Sequence, residues 1–482
     1  MIALPRYGAP ALVLILVLLG CAGRTDIRVA ADAAPRPSLT APPIFERVET
    51  VDLDNGLTFV LLPRHDIPLV AGRILVRVGN VDNPAGSTGL AHMFEHMAFK
   101  GTDVIGVTDA AAERAVLDSV MWRGDELTAA LRSGAESGVV AALQGEISGL
   151  EARAATFVEP MAWPRLYDEY AFDFNAYTSE DITVYQAELP SNKLETWMLM
   201  ESERLQHPVC REFYSELGVV KEERRQRTDD DPDGAMWELV TGTAFSVHPY
   251  RYPTIGYMED LETLNPRMIQ EFRARYYTPG NMVGALVGDF DPARARNLLH
   301  LYFDDLVAGP VPDGPGVVEP EPTAQRRAVH RQGAERRLVI AFPGFARDDP
   351  RLPAAELLAG VLAEGNTSRL NRRLDLDEGM VRSVGSGATL GFERYPGLFY
   401  VSASLMPGAT NEAVEALVWE ELARVVAEPV SDERLDEIRR VRRREFYFGL
   451  QSNADLAELL VKWQAFDGLV RRRWRGGDAQ TR

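Results

Sequence analysis

Basic residues and cysteine are both scarce in this sequence. Against 71 Asp and Glu there are 52 Lys and Arg, which gives a formal net charge of -19. An acidic protein gains little from binding polyanions, so we expect no nucleic-acid partner, and the charge serves mainly to keep the chain soluble. Only two cysteines occur among 482 residues, Cys21 and Cys210, and neither has the spacing of a metal ligand.

An apolar run of membrane-spanning length is absent from the N-terminus, since spanning needs about 20 residues. A shorter run, Ala9 to Leu19, follows Arg6 and leads into Gly20 and Cys21. This pattern is typical of a secretion signal whose cysteine becomes the lipidated N-terminus of a bacterial lipoprotein. We therefore predict a lipoprotein signal peptide over 1–20, with a cleaved conventional signal or a retained anchor as the alternatives.

Lipidation of Cys21 would anchor the protein in the bacterial cell envelope, on the periplasmic side of a membrane. The outer membrane is favoured over the inner one. Cys210 is then left without a disulfide partner, although export implies an oxidising compartment. The membrane is thus an expected partner through the lipid alone.

Composition divides the rest of the chain into segments. Residues 21–45 are rich in Ala, Pro and Thr and form a predicted tether, and 308–324, with five prolines, form a predicted linker. Between them, 46–307 is predicted to be one domain, and 325–482 to be a second. A stretch at about 109–155 is rich in Ala, Glu and Leu at helical spacing, which predicts a helical hairpin inserted into the first domain.

Strand-like and helix-like patterns alternate in both predicted domains, so the fold class is α+β. Asn55-Gly56 between apolar runs predicts a β-hairpin. A helix is predicted over Leu90 to Phe99, a strand near Phe174 to Tyr185, and a long helix over about Phe213 to Arg227.

The segment His92-Met93-Phe94-Glu95-His96 carries the chemistry of the sequence. On a helix, positions i and i+4 share a face, so both imidazoles can bind one ion. Glu95 lies near that face and can take a proton from a metal-bound water. This H-x-x-E-H pattern inverts H-E-x-x-H and predicts one catalytic Zn²⁺. Two histidines that merely pack on a helix face are the alternative that the motif alone leaves open.

With its flanks, Gly89 to Ala91 and Met97 to Thr102, the motif resembles that of the insulinase/pitrilysin family of zinc metallopeptidases, the inverzincins. The likeness is to the branch of bacterial and mitochondrial processing peptidases, and it spans residues 46–465. Three further blocks match the family: 175–185, 276–290 and 365–370. The resemblance implies two homologous sheet-plus-helices domains that form half of a clamshell. A second chain, identical or paralogous, would supply the other half as a homodimer or heterodimer.

The resemblance also implies a third zinc ligand, a Glu on a downstream helix that follows another acid by seven residues. Glu216 and Glu223 have this spacing, which is close to two helical turns. Glu223 is therefore the expected ligand and Glu216 a supporting acid. Glu222 is the alternative ligand, about 100° away around the helix.

For the substrate, the resemblance implies that the strand containing Asn175 and Ala176 pairs with a peptide backbone, which is β-augmentation. It also implies that Arg369 faces the substrate from the second domain. Where the family continues with a Tyr, this sequence has Arg382, and it stops soon after Ala465, so we expect the second domain to be incomplete.

Together these features predict a zinc-dependent endopeptidase that hydrolyses peptides or unfolded polypeptides, with Glu95 as general base. Two alternatives remain open. One is a zinc-binding but inactive subunit that only shapes a chamber for a partner. The other is a lipid-anchored scaffold that binds peptides without metal.

Overall fold

The computed structural model describes residues 43–333, 335–391 and 394–468. Of these, 43–330 and 449–468 form a first compact unit, and 331–448 form a second. Each unit contains a β-sheet with helices packed on it, so the predicted α+β class is confirmed. Across the described ranges, every helix is too short or too polar to cross a bilayer. The predicted signal peptide, Cys21 and most of the predicted tether lie outside the described residues.

The strands form a six-stranded sheet in the first unit and a three-stranded sheet in the second. In chain order they are β1 (Glu49–Asp52), β2 (Thr58–Pro63), β3 (Leu69–Val76), β4 (Asp173–Thr178), β5 (Thr183–Pro190), β6 (Met282–Gly288), β7 (Arg337–Pro343), β8 (Val381–Gly387) and β9 (Leu398–Leu405).

The α-helices follow one another in both units, and two short π-helical segments occur at Arg225–Asp229 and Asn371–Asp377. In chain order the α-helices are α1 (Leu90–Met97), α2 (Ala110–Ser133), α3 (Ser137–Ala154), α4 (Ala162–Tyr170), α5 (Leu194–Gln206), α6 (Phe213–Arg224), α7 (Pro232–Ala244), α8 (Met258–Leu261), α9 (Pro266–Tyr276), α10 (Pro292–Phe303), α11 (Leu352–Ala363), α12 (Asn411–Ala427), α13 (Asp432–Phe448) and α14 (Asn453–Asp467).

The sheet of the first unit has the order β1-β2-β6-β3-β5-β4. β2 and β6 run parallel, and the other neighbours run antiparallel. Every residue of β6 is buried, as expected for a strand covered on both faces. A Cβ at Gly284 would lie 2.1 Å from the ring of Phe59, so only glycine fits this position of the strand.

The single strand predicted near Phe174 to Tyr185 is wrong, because two antiparallel strands, β4 and β5, occupy this region. The turn between them is held by a bond from the amide of Ser179 to the carbonyl of Ile182 (2.8 Å). The buried Asp181 of this turn accepts a hydrogen bond from the hydroxyl of Tyr250 at 2.7 Å. A local sequence pattern cannot predict this contact, because the two residues are far apart in the sequence. The consequence is that β4 becomes the last strand of the sheet.

Helices α2 and α3 form a hairpin across residues 110–154, within the stretch at 109–155 expected to be an insertion. Asp109 accepts the amide of Ala112 (3.0 Å) and so caps α2, and Gly134, at φ 66°, ends it. The two helices share a small apolar core of their own around Val120 and Ile147. The hairpin therefore packs as one piece.

The second unit does not contain residues 449–468, as the predicted domain 325–482 would require. Helix α14 instead packs on β3 and β6 of the first unit through Leu456, Leu460 and Val461. At the other end, Phe45, assigned to the tether, is buried, and its ring centroid lies 5.5 Å from that of Trp463. Burial of these apolar side chains decides which unit each segment joins.

The sheet of the second unit has the order β7-β9-β8, with α11 packed on β8 and α12 on β7. Its core is apolar and lies between the sheet and these helices, around Phe342, Val401 and Val418. Strand β8 contains Arg382, and helix α13 packs on α11.

The linker that the prolines predict runs without helix or strand, but it is bound to the first unit. The carboxylate of Glu319 accepts backbone amides of Ser246 (2.6 Å), Val247 (2.9 Å) and His248 (2.9 Å). Partial burial raises the pKa of Glu319, but these bonds and that of the Ser246 hydroxyl outweigh it and hold the pKa at about 2.

We expect Glu319→Gln to destabilise the protein by about 1–2 kcal/mol at pH 7, the usual value of charge-assisted hydrogen bonds, discounted for exposure. Because the folded-state pKa lies below the unfolded value, this stability is present above about pH 4.3. It is lost as the pH falls towards 2. Urea unfolding at pH 7 and pH 3 measures both effects, with the exposed Glu321→Gln as control. An equal loss at both pH values would contradict this account.

Candidate metal centre

The apolar residues of helix α1 all pack into the core, and its charged face is therefore directed towards one site. Met93, Phe94 and Met97 are buried in the main apolar cluster of the first unit. The helix starts after Gly89, whose φ of 84° is left-handed and where a Cβ would lie 2.5 Å from the carbonyl of Ile255. The packing therefore fixes where His92, Glu95 and His96 lie.

Three potential ligands meet beside α1. The Nε2 atoms of His92 and His96 lie 3.7 and 3.4 Å from Oε2 of Glu223, which α6 contributes. The three ligand atoms all lie within 4.8 Å of one another. Donors about 2.0–2.1 Å from a tetrahedral zinc ion are about 3.4 Å apart, so this set fits one zinc ion and leaves its fourth position open.

Glu222, the alternative ligand, points elsewhere. Its carboxylate is exposed and accepts hydrogen bonds from Arg225 (2.9 Å) and Gln226 (3.3 Å). The structure thus brings Glu223 to the two histidines, and not Glu222.

Glu216, the expected supporting acid, contacts the second nitrogen of a candidate ligand. Its Oε1 lies 2.8 Å from Nδ1 of His96, and its Oε2 lies 2.6 Å from Nζ of Lys100. Burial raises the pKa of Glu216, but the bonds from His96 and Lys100 outweigh this and lower the pKa to about 2. A charged carboxylate here orients the imidazole and would direct its Nε2 to a bound metal ion.

The two imidazoles differ in their electrostatic surroundings. Burial and the neighbouring His96 lower the pKa of His92 to about 4, so His92 is neutral and can donate its lone pair to a metal. For His96, burial lowers the pKa, but the bonds with Glu216 and Glu223 raise it to about 9. A metal ion must therefore displace a proton from His96.

Glu95 is buried beside this cluster but takes no part in it as a ligand. Its Oε2 accepts the hydroxyl of Thr178 at 2.6 Å, and Thr178 is the last residue of β4. Burial raises the pKa of Glu95 above its usual range. A carboxylate with a raised pKa is a better base near neutral pH.

Arg227 is a further residue of the site that sequence reasoning missed. It lies in the π-helical segment that follows α6, and its Nη1 is 2.8 Å from Oε1 of Glu223. Its side chain is 73% exposed. The guanidinium thus holds one oxygen of Glu223 while the other faces the histidines.

The expected substrate-binding residues lie in both units. Asn175 is exposed on β4, where its Oδ1 accepts the amide of the buried Ala176 at 2.9 Å. Arg369 lies in the second unit, 3.8 Å from Glu428, and Arg382 lies 3.0 Å from Glu335. The metal cluster itself is built from the first unit alone.

The fold and this cluster define a class of protein, and comparison with known proteins identifies it: the chain is similar to proteins of the peptidase M16, or insulinase-like, family. The resemblance inferred from the sequence motifs is confirmed at the level of the family. The family model described as the peptidase M16 inactive domain matches residues 263–442. This range begins after His92, His96 and Glu223.

Similar proteins include bacterial zinc proteases. The zinc protease PqqE of Helicobacter pylori is 25% identical over 88% of this chain and 85% of its own length. The crystal structure of a protease from Helicobacter pylori superposes with a TM-score of 0.72 at 23% identity, over 88% of this chain and 90% of that one. The first half of the periplasmic protease PqqL from Escherichia coli superposes with a TM-score of 0.59 at 21% identity, over 90% and 84%. These two structural likenesses show the fold.

We expect Glu223→Gln to weaken zinc binding by more than the 10–100-fold typical of outer-shell substitutions, because it removes an anionic ligand. Glu222→Gln, one residue away on the same helix, is the matched control and should bind zinc like the original chain. Competition with a chromophoric chelator measures both affinities. Similar losses in the two variants would show that Glu223 is not a ligand.

Proposed function

We propose that the chain is a zinc-dependent endopeptidase in which His92, His96 and Glu223 hold the metal. The observation that carries this proposal is the buried carboxylate of Glu95, held by Thr178 beside a three-donor cluster that fits zinc. A bound zinc ion would supply Lewis-acid chemistry, which polarises a carbonyl and acidifies water. The carboxylate of Glu95 would accept a proton as general base and return it to the leaving amine.

The edge of the sheet supports a peptide as substrate. β4 is the last strand in the described sheet, and an extended peptide could add to it by main-chain hydrogen bonds. Because Thr178 ends β4 and contacts Glu95, a peptide paired with β4 would pass the general base. Main-chain recognition tolerates many sequences, so we infer that small or unfolded polypeptides are the substrates.

An inactive, zinc-binding subunit is the second candidate, favoured by the description of the family model that matches residues 263–442. That description concerns a range that excludes the metal cluster. Glu95 is buried and oriented by Thr178, which a subunit without hydrolytic activity does not require. A peptide-binding scaffold without metal leaves the convergence of His92, His96 and Glu223 unexplained.

We expect the chain lacking residues 1–21 to cleave a quenched-fluorescent peptide library, and a chelator to abolish cleavage until zinc is restored. Glu95→Gln should lower kcat by about 10²–10⁴-fold, the usual contribution of a general base, while zinc content stays at one ion per chain. Glu222→Gln is the control. Zinc binding without any cleavage would favour the inactive subunit, and full activity of Glu95→Gln would exclude Glu95 as the base.

We further propose a periplasmic, lipid-anchored location and a second chain. The apolar run before Cys21 supports the lipid, and the likeness to PqqL, described as periplasmic, supports the compartment. This chain matches one half of PqqL, which supports pairing with an identical or paralogous chain that supplies the other half. The anchor would lie in the outer membrane in preference to the inner one.

Fractionation of bacteria that express the full chain tests both proposals. The protein should sediment with outer membranes and require detergent for release, whereas Cys21→Ser should not carry the lipid and should appear in the soluble fraction. Light scattering of the detergent-free Cys21→Ser protein should give the mass of two chains. Equal membrane retention of both forms would contradict lipidation, and a monomer would contradict a homodimer and leave the paralogous partner as the form to assay.

A further inference from the structure

Lys100 lies three residues beyond α1 and is tied to the metal cluster by charge. Its Nζ lies 2.6 Å from Oε2 of Glu216 and 3.1 Å from Oε2 of Glu212. The other oxygen of Glu216 lies 2.8 Å from Nδ1 of His96. A single carboxylate thus joins the ammonium of Lys100 to the imidazole of a candidate ligand.

The backbone around Lys100 is fixed by a buried arginine. Nη1 of Arg211 donates to the carbonyl of Lys100 (2.5 Å), and Nη2 donates to that of Thr102 (3.2 Å). Gly101, at φ 89°, permits this approach, because a Cβ there would lie 2.8 Å from Nη1 of Arg211. The bonds hold the segment after α1 in one conformation.

Arg211 is in turn paired with the helical hairpin. Its Nε and Nη2 donate to Oε1 (2.5 Å) and Oε2 (2.7 Å) of Glu113 in α2, and both side chains are 2% exposed. A bidentate pair of this kind fixes the plane of the guanidinium as well as its charge. An unbroken series of contacts therefore runs from α2 through Arg211, Lys100 and Glu216 to His96.

We propose that Lys100 is a positioning residue of the metal site, which acts on His96 through Glu216, and that the Glu113–Arg211 pair of the hairpin holds Lys100 in place. The proposal rests on zinc binding at His92, His96 and Glu223 as proposed above. Outer-shell partners that orient a ligating histidine typically contribute 10–100-fold to metal affinity.

Positioning and simple charge repulsion predict opposite signs for Lys100→Met. Removal of a positive charge near a cation site strengthens cation binding by Coulomb attraction. In Lys100→Met, Glu216 loses the ammonium that fixes it. Its carboxylate and the imidazole of His96 can then rotate, which weakens zinc binding. The sign of the change in zinc affinity therefore decides between the two roles.

The experiment is zinc competition with a chromophoric chelator for the original chain, Lys100→Met and Lys100→Arg. Lys100→Met should bind zinc about 10–100-fold more weakly. Lys100→Arg, which can still pair with Glu216, should retain most of the affinity. Lys221→Met, a lysine on α6 that does not contact the cluster, is the matched control and should bind zinc like the original chain.

The hairpin is tested with Glu113→Gln, with Glu146→Gln on its exposed surface as control. Zinc affinity should fall in Glu113→Gln alone, with circular dichroism showing that the helices are intact. If Glu113→Gln does not fold, the Lys100 variants still decide the proposal. Unchanged or tighter zinc binding by Lys100→Met overturns it while the proposed function stands. Failure of the original chain to bind zinc overturns both.

Discussion

The site depends on one electrostatic constraint, because three carboxylates are packed around two imidazoles. Glu95, Glu216 and Glu223 would repel one another in a partly buried volume, and each is paired with a different group. Lys100 lies 2.6 Å from Glu216, Arg227 lies 2.8 Å from Glu223, and the hydroxyl of Thr178 bonds Glu95. Lys100 and Arg227 each offset one of the three charges, and protonated His96, bonded to Glu216 and Glu223, offsets them further until a metal ion takes the place of its proton.

The parts of this site that the sequence predicts are those that one helix determines. His92 and His96 lie four residues apart, and because a helical turn takes about 3.6 residues, both side chains lie on the same face of the helix. The pair Glu216 and Glu223, which the family resemblance implied, is two turns apart, and this spacing puts one acid behind an imidazole and the other beside it. Periodicity also explains why Glu222 fails as a ligand, because one residue turns the side chain by about 100°. The α+β class follows from patterns that are equally local.

The parts that the sequence does not predict depend on partners far along the chain. Lys100 meets Glu216 across 116 positions of sequence, and Thr178 reaches Glu95 only because the predicted single strand is a hairpin. Helix α14 carries apolar residues that would suit either sheet, and local pattern cannot tell which sheet it covers. Its burial against β3 and β6 brings the end of the described chain back to the unit that holds the metal cluster.

The hairpin of α2 and α3 is an inserted element on which other parts of the first unit depend. Most of α3 faces solvent, and the two helices share a small core, so the hairpin could be regarded as an appendage. Glu113 argues against that view, because it neutralises a guanidinium that is itself 2% exposed. A buried ion pair that loses one partner typically costs about 3–5 kcal/mol, since the remaining charge has no solvent. Arg211 in turn binds the carbonyls on either side of Gly101, directly after the metal helix. Replacement of Glu113 alone would therefore leave Arg211 buried without its ion-pair partner, and replacement of Arg211 would release the segment that holds Lys100 against Glu216.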